Sequence, residues 1–343
     1  MRKFLFAITL LAALGASAVA QDAKAKAEQV IKQARAAIGD ESKWKNLQGL
    51  TASGTSRQSM GERQMESEIQ IDVLMPDKIM RATNSQFGST INTLNGEQLW
   101  SDFVPAVGMG GGGFGGGPRM VTMGPGGPGG AGGADNPMVK YFQQTQRRDL
   151  VLITLAWFLT APAGVEFTYL AEAPGPEGSK LDALSAKDAK GLDATLFFDQ
   201  KTHQLIGIRY KTKQLGRGGI GGGRGGQGGG QGGQRQPGGQ GGQGGQRQPG
   251  AQGGQPGQPG QRPEMTPEER ERRAKEMMDA FDKAPEVTFD WAFSDYKGVG
   301  GLNLPHRMTR SQGGTPNEEW EISKYKLNPK LSADKFVKKE KAQ

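Results

Sequence analysis

The sequence predicts a mainly β chain of the α+β class: an antiparallel sheet with one face covered and one face wet, and helices on the covered face. Three observations predict it. Several runs alternate apolar and polar residues with a period of two, as a half-buried strand does. Tight-turn residues lie between those runs, at Met75-Pro76-Asp77-Lys78, Asn95-Gly96, Asp199-Gln200-Lys201-Thr202 and Gly298-Val299-Gly300-Gly301. Helix-forming stretches with their own start and stop signals occupy separate parts of the chain.

Each element can be justified in order. Met1-Arg2-Lys3, the apolar run Phe4 to Leu14 and the small-residue exit ending at Ala20 have the layout of a secretory signal peptide over residues 1–20. The run falls short of the roughly 18–20 apolar residues that a membrane span needs. The mature chain, 21–343, is expected to form one domain. Residues 23–38 are rich in helix formers, place Val30, Ile31, Ala34 and Ile38 on one stripe, and stop at Gly39. In SEIQIDVLM, Ile69, Ile71, Val73 and Met75 share a strand face. Asn136-Pro137 caps and opens one helix or two, running into DLVLITLAWFLTAP. Thr266-Pro267-Glu268-Glu269 carries a capping box and starts a charged helix. Val287, Phe289, Trp291 and Phe293 share a face in VTFDWAFSDY, as do Trp320 and Ile322 in EEWEISKY. Two glycine-rich inserts, about 108–134 and 216–263, interrupt the pattern; the second holds GQGGQRQPG twice, from Gly230 and from Gly242. They have almost no apolar side chains to offset glycine's conformational entropy, so they read as coils outside the core.

Charge and composition exclude several classes. The formal charge is +8, but Arg2, Lys3 and the five arginines of 216–263 supply seven of it, leaving about +1 on the rest. No face for nucleic acid is implied. The chain has no Cys, hence no disulfide and no thiol for lipid attachment. Its two histidines, His203 and His306, lie far apart and in no metal-ligand spacing, so neither a metal nor a cofactor is expected. No G-x-S-x-G elbow is present, and G-x-G-x-x-G occurs only inside the glycine runs, without a strand and helix to frame it. A non-enzymatic protein is expected, with no stable membrane insertion.

The aromatic residues leave two readings open. Helices packed on the sheet would make Phe289, Trp291, Phe293, Trp320, Trp157 and Phe158 an ordinary core. Helices lying loosely over a curved sheet would leave those residues lining an apolar cavity.

The ordered series MPDKIMR, INTLNGEQLW, GLDATLFFDQKTHQLIGIRYK, VTFDWAFSDYKGVGGLNLPHRM and WEISKYKLNPKLSADKF resembles the outer-membrane lipoprotein-sorting (LolA/LolB-like) superfamily over most of 24–338 outside the inserts. The resemblance implies an incomplete antiparallel β-barrel, a strongly curved sheet with helices covering the concave face over an apolar cavity. It implies periplasmic or secreted binding of lipid acyl chains or lipoproteins, as carrier or sensor. The cavity lining would then be Ile69, Ile71, Val73, Trp100, Phe289, Trp291, Phe293, Trp320, Ile322, Trp157 and Phe158. Arg81 matches the basic residue that follows the family's Pro-Asp-Lys turn and helps to hold the lid closed. The inserts depart from the family. They support the alternative of an envelope or extracellular interaction protein, with the inserts contacting cell wall or matrix.

Overall fold

A computed structural model describes residues 21–60, 63–106, 137–158, 164–213 and 266–338. The expected signal peptide, both glycine-rich inserts and the Asn136 cap lie outside these residues. The chain divides into two units, one of 1–214 with 285–343 and one of 215–284. The second holds, among its described residues, one helix, Pro267–Asp282; Thr266 and Glu269 exchange the two hydrogen bonds of the expected capping box.

The first unit opens with helix α1 (21–38), followed by the short α2 (Glu41–Lys45). Strands β1 (Gly49–Met60), β2 (Arg63–Leu74), β3 (Lys78–Ser85), β4 (Gly88–Asn95) and β5 (Gln98–Pro105) form a meander. Helix α3 (Pro137–Phe158) is continuous. Strands β6 (Glu166–Pro174), β7 (Lys180–Lys187), β8 (Asp193–Asp199) and β9 (Leu205–Lys213) form a second meander, and β10 (Glu286–Val299), β11 (Leu302–Gln312) and β12 (Thr315–Leu327) a third. All twelve strands join in one antiparallel sheet, ordered β5-β4-β3-β2-β1-β12-β11-β10-β9-β8-β7-β6. Among the described residues the sheet is not closed, and β5 and β6 are its edges. The β10–β11 turn is made by Gly300 and Gly301, both at positive φ, the backbone that two-residue hairpin loops require. Gly313 and Gly314 do the same between β11 and β12.

One turn of α3 shows how strongly the sheet curves. Gln146 lies 3.3 Å from the Ser101 hydroxyl of β5, Arg147 pairs with Asp188 between β7 and β8, and Arg148 reaches the Lys211 carbonyl of β9. In a flat sheet β5 and β9 would be eight spacings apart, about 38 Å. Three consecutive residues of a helix about 10–12 Å across can touch all three places only if the sheet wraps around it. The Lys190–Glu97 ion pair, between the β7–β8 and β4–β5 turns, likewise joins opposite ends of the strand order.

The concave face and both helices share one core. Ala27, Val30, Ile31, Ala34 and Ile38 of α1 are buried in it with Leu50, Ile71, Leu196, Ile322 and the apolar half of α3. Gly39 ends α1 for a steric reason: its backbone pairs with Leu302, and a Cβ there would meet the Gly301 carbonyl at 2.8 Å. On the convex side the segment after β12 folds back. Phe336 is fully buried, and Lys335 donates to the buried Asp72 carboxylate at 2.6 Å, beside Thr51 and Gln70.

Candidate functional site

The site is the concave trough and the helix inside it. Strand register decides which expected residues line it. Ile69, Ile71 and Val73 alternate inward on β2 and are buried. Phe293, Trp320 and Ile322 are buried on the same side, and Trp157 of α3 stands edge-on to Tyr325 at 5.8 Å. Phe289 and Trp291 are only partly buried; Trp291 packs edge-on against Trp320 at 4.9 Å. The side chain of Phe158 lies outside the described residues. Trp100 is a correction. It pairs with Thr93, which pairs with Met80, which pairs with Asp72, so it belongs to the convex face. Each directly opposed pair keeps its face, and one step along β2 from Val73 reverses it.

A second correction concerns the space itself. Open volume between helix and sheet was one of the two expectations, and α3 occupies it. From Leu150 to Trp157 every residue except Thr154 is buried, whereas a helix resting on an ordinary sheet buries one stripe. Small voids of about 10 Å³ each lie beside it among the described residues, one between Val151 and Ile79, another between Asp149, Leu152 and Trp320. A cleft of about 450 Å³ opens at the rim, lined by Val287, Thr288, Gln312, Gly313, Thr315 and Asn317.

Moving inward from that rim along β10, β11 and β12, the lining changes in order. Gln312 and Asn317 come first. The pair Arg310–Glu318 follows at 2.8 Å, with Phe289 stacked on Tyr210 at 5.6 Å beside it. Trp291 lies level with that ion pair, and Phe293, Met308 and Trp320 form the next layer inward, where the indole of Trp320 donates back to Glu318 at 2.7 Å. Arg310 sits over both Phe289 and Trp291, Arg148 over Tyr210 at 4.3 Å, and Arg81 over Trp320 at 5.8 Å. Helix α3 contributes Asp149, which pairs with Arg148 at 3.2 Å. Burial pushes the Tyr210 phenol up to about 12; Asp149 adds to the rise, and Arg310 and Arg148 oppose it. The Nε atoms of Arg81 and Arg310 and the Oδ1 of Asn317 are buried without a hydrogen-bond partner.

The residues that hold α3 are mostly ones the sequence does not mark. Arg147 and Asp188 pair at 2.7 Å with both side chains nearly inaccessible, and Asp188 also accepts the Lys190 and Leu192 amides. The Tyr141 hydroxyl accepts the Lys213 amide at 2.6 Å and bonds Thr212. Arg81, the expected lid-closing residue, lies on the concave face but makes no ion pair with α3 among the described residues. His306 donates from Nδ1 to the Ile322 carbonyl at 2.7 Å and stacks edge-on with Tyr325, the surroundings of a structural histidine. His203 sits in the β8–β9 turn at positive φ. Among the described residues no group of three or more His, Asp or Glu converges as a metal site, and no helix is long and apolar enough to cross a membrane.

A curved antiparallel sheet wrapped around a buried helix defines the class of fold. Solved structures of similar fold include an outer membrane lipoprotein-sorting protein domain from Vibrio parahaemolyticus, at 10% identity over 91% of this chain and 97% of that one, with a TM-score of 0.46. A LolA superfamily protein from Nitrosomonas europaea is similar at 8% identity and a TM-score of 0.46, with the same coverage. A DUF1329 family protein from Desulfovibrio piger follows at 8% and 0.45, again over 91% and 97%. No family model and no curated protein sequence matches the chain.

Proposed function

We propose that the protein binds acyl chains in the concave trough, as a periplasmic or secreted carrier or sensor without enzymatic activity. The carrying observation is the segment Leu150–Trp157, apolar but for Thr154 and enclosed by a single sheet whose inner face is apolar around it, with Arg81, Arg310 and Glu318 as the charged exceptions. That segment fills the volume an acyl chain would take. Burial of ten methylenes contributes about 8 kcal/mol. Exposing the six large apolar side chains of 150–157 would cost about 12 kcal/mol at ~2 each. Ejecting α3 into water is therefore not repaid, and the helix shifts within the trough and shares it. Export rests on the layout of residues 1–20. A second reading has its own support: voids of about 10 Å³ describe a filled core, which suits a scaffold for envelope contacts.

The two readings part in one experiment. The protein, isolated from an envelope fraction, is extracted for mass spectrometry of bound lipid and titrated with a fluorescent fatty-acid analogue. A carrier brings lipid with it and raises the probe's emission, and Trp291→Glu, placed at the partly open aromatic lining, abolishes the rise while circular dichroism stays native. Absence of both lipid and emission rise leaves the scaffold.

A further inference from the structure

The charged groups around α3 point to the chemistry of the ligand's head. Around the polar half of α3 lie Arg81 and Arg310 of the sheet, Arg148 of the helix itself, and two carboxylates, Glu318 and Asp149. Glu318 belongs to the sheet and is tied to it by Arg310 at 2.8 Å and by the Trp320 indole at 2.7 Å. Asp149 belongs to the helix, at the point where its polar half ends and its apolar half begins. It borders the void shared with Trp291 and Trp320. Carboxylate and apolar run thus follow one another as the head and tail of a fatty acid do, and they enter the trough in that order from the rim.

We propose that the ligand is a fatty acid with a free carboxylate, and that α3 is its internal stand-in: Asp149 holds the carboxylate slot and Leu150–Trp157 hold the tail volume. The inference rests on the acyl-binding reading and narrows it. When α3 shifts to admit the tail, Asp149 and Arg148 move together, and Arg81 and Arg310 of the sheet are left with Glu318 as their one carboxylate. Arg310 is held by Glu318 and by the Tyr210 hydroxyl while its buried Nε has no partner, and the buried Nε of Arg81 has none either. A guanidinium presents five donors in a fixed fork suited to a carboxylate. The cleft at Gln312 and Asn317 gives the head a route from water. An uncharged head of the same chain length would leave those two cations sharing Glu318 alone in a partly desolvated place, at a cost of tenfold or more in affinity.

Calorimetric titration with laurate and with its uncharged glycerol ester, monolaurin, both below their micelle concentrations, tests this. Wild type is expected to bind laurate at least about tenfold more tightly. Arg310→Gln is expected to bring the two ligands within about twofold; Arg81→Gln, which breaks no ion pair among the described residues, serves if that variant is unstable. Asp149→Asn removes the competing carboxylate and is expected to tighten laurate several-fold while monolaurin is unchanged. Equal tightening of both by Asp149→Asn would mean that α3 is merely loosened, and the stand-in would be wrong. Equal wild-type affinities overturn the carboxylate slot and leave acyl binding in place. If neither ligand binds, the acyl reading falls and takes this inference with it.

Discussion

Three tyrosines sit where a phenolate cannot be solvated. Tyr210 lies under Arg148, and Tyr296 and Tyr325 give their hydroxyl protons to the Leu205 and Pro305 carbonyls. Burial pushes Tyr210 up to about 12, and raises Tyr296 and Tyr325 as well. The unfolded chain releases these protons near pH 10 while the folded chain keeps them. Stability is therefore fully present below about pH 10 and falls as pH rises past it, by about 1.4 kcal/mol per pH unit for each such tyrosine. The urea midpoint should drop between pH 9.5 and 11.5, and Tyr210→Phe should make the drop shallower. A midpoint that stays level in wild type over that window would refute the assignment. With no Cys in the chain, no thiol titrates there to confuse the result. At this scale the sequence was informative only where a residue's face follows from its neighbours. Ile69, Ile71 and Val73 could be placed inward by alternation alone. Trp100 could not, because its face depends on register carried through β3 and β4 from Asp72, a property of three pairings and not of its own strand.

Among the elements, α3 is the one on which the proposed binding turns, and its attachment is polar at one end and apolar at the other. Pattern reading found its apolar half easily. It passed over Arg147 and Arg148, since charged residues at the edge of an apolar run ordinarily mark a solvated face. Their partners are Asp188, in the β7–β8 turn, and a β9 carbonyl, and only the curvature of the sheet brings these to one helical turn. Breaking such a pair by removing one partner leaves a buried charge alone, which costs about 3–5 kcal/mol. Arg147→Met, which keeps the stem's packing, is expected to cost that order and to act locally. Hydrogen exchange should show the α3 amides losing protection while those of β1, β11 and β12 keep theirs. Uniform loss across the sheet would mean that α3 is an inseparable part of the core, which would count against its yielding to a ligand. The short turns divide in the same way. Gly298-Val299-Gly300-Gly301 was legible from composition, whereas Gly39 looked like a helix stop and owes its place to the close approach of Leu302.

For the whole molecule, the antiparallel class and the covered face were legible because each rests on short-range periodicity. The order of strands was not. Joining β1 to β12 closes the first meander onto the third, and nothing local in either strand announces it; the bulge at Ser53/Gly54 shows how specific the join is, since a Cβ on Gly54 would lie 2.0 Å from the Glu321 carbonyl. That topology also supplies the means to test whether the trough works by movement. A Cβ built on Gly191, in the β7–β8 turn, lies 3.6 Å from the Cβ of Gln144 on α3, within the 3.5–4.5 Å that a disulfide spans. The chain has no other cysteine, so Gln144→Cys with Gly191→Cys would form one unambiguous bond. Gly191 has φ of +93°, and a cysteine there is strained whether or not the bond forms, so oxidised and reduced samples of the same variant carry that strain alike. Gln144 is five residues from Asp149, about 7.5 Å along the helix, so the bond pins Asp149 near Arg310. Oxidation should raise the melting temperature and abolish laurate binding, and reduction should restore the binding. If the oxidised protein takes up laurate as well as the reduced one, the polar half of α3 stays where it is when the ligand enters, and a trough that opens by withdrawing Asp149 is the wrong description of this fold.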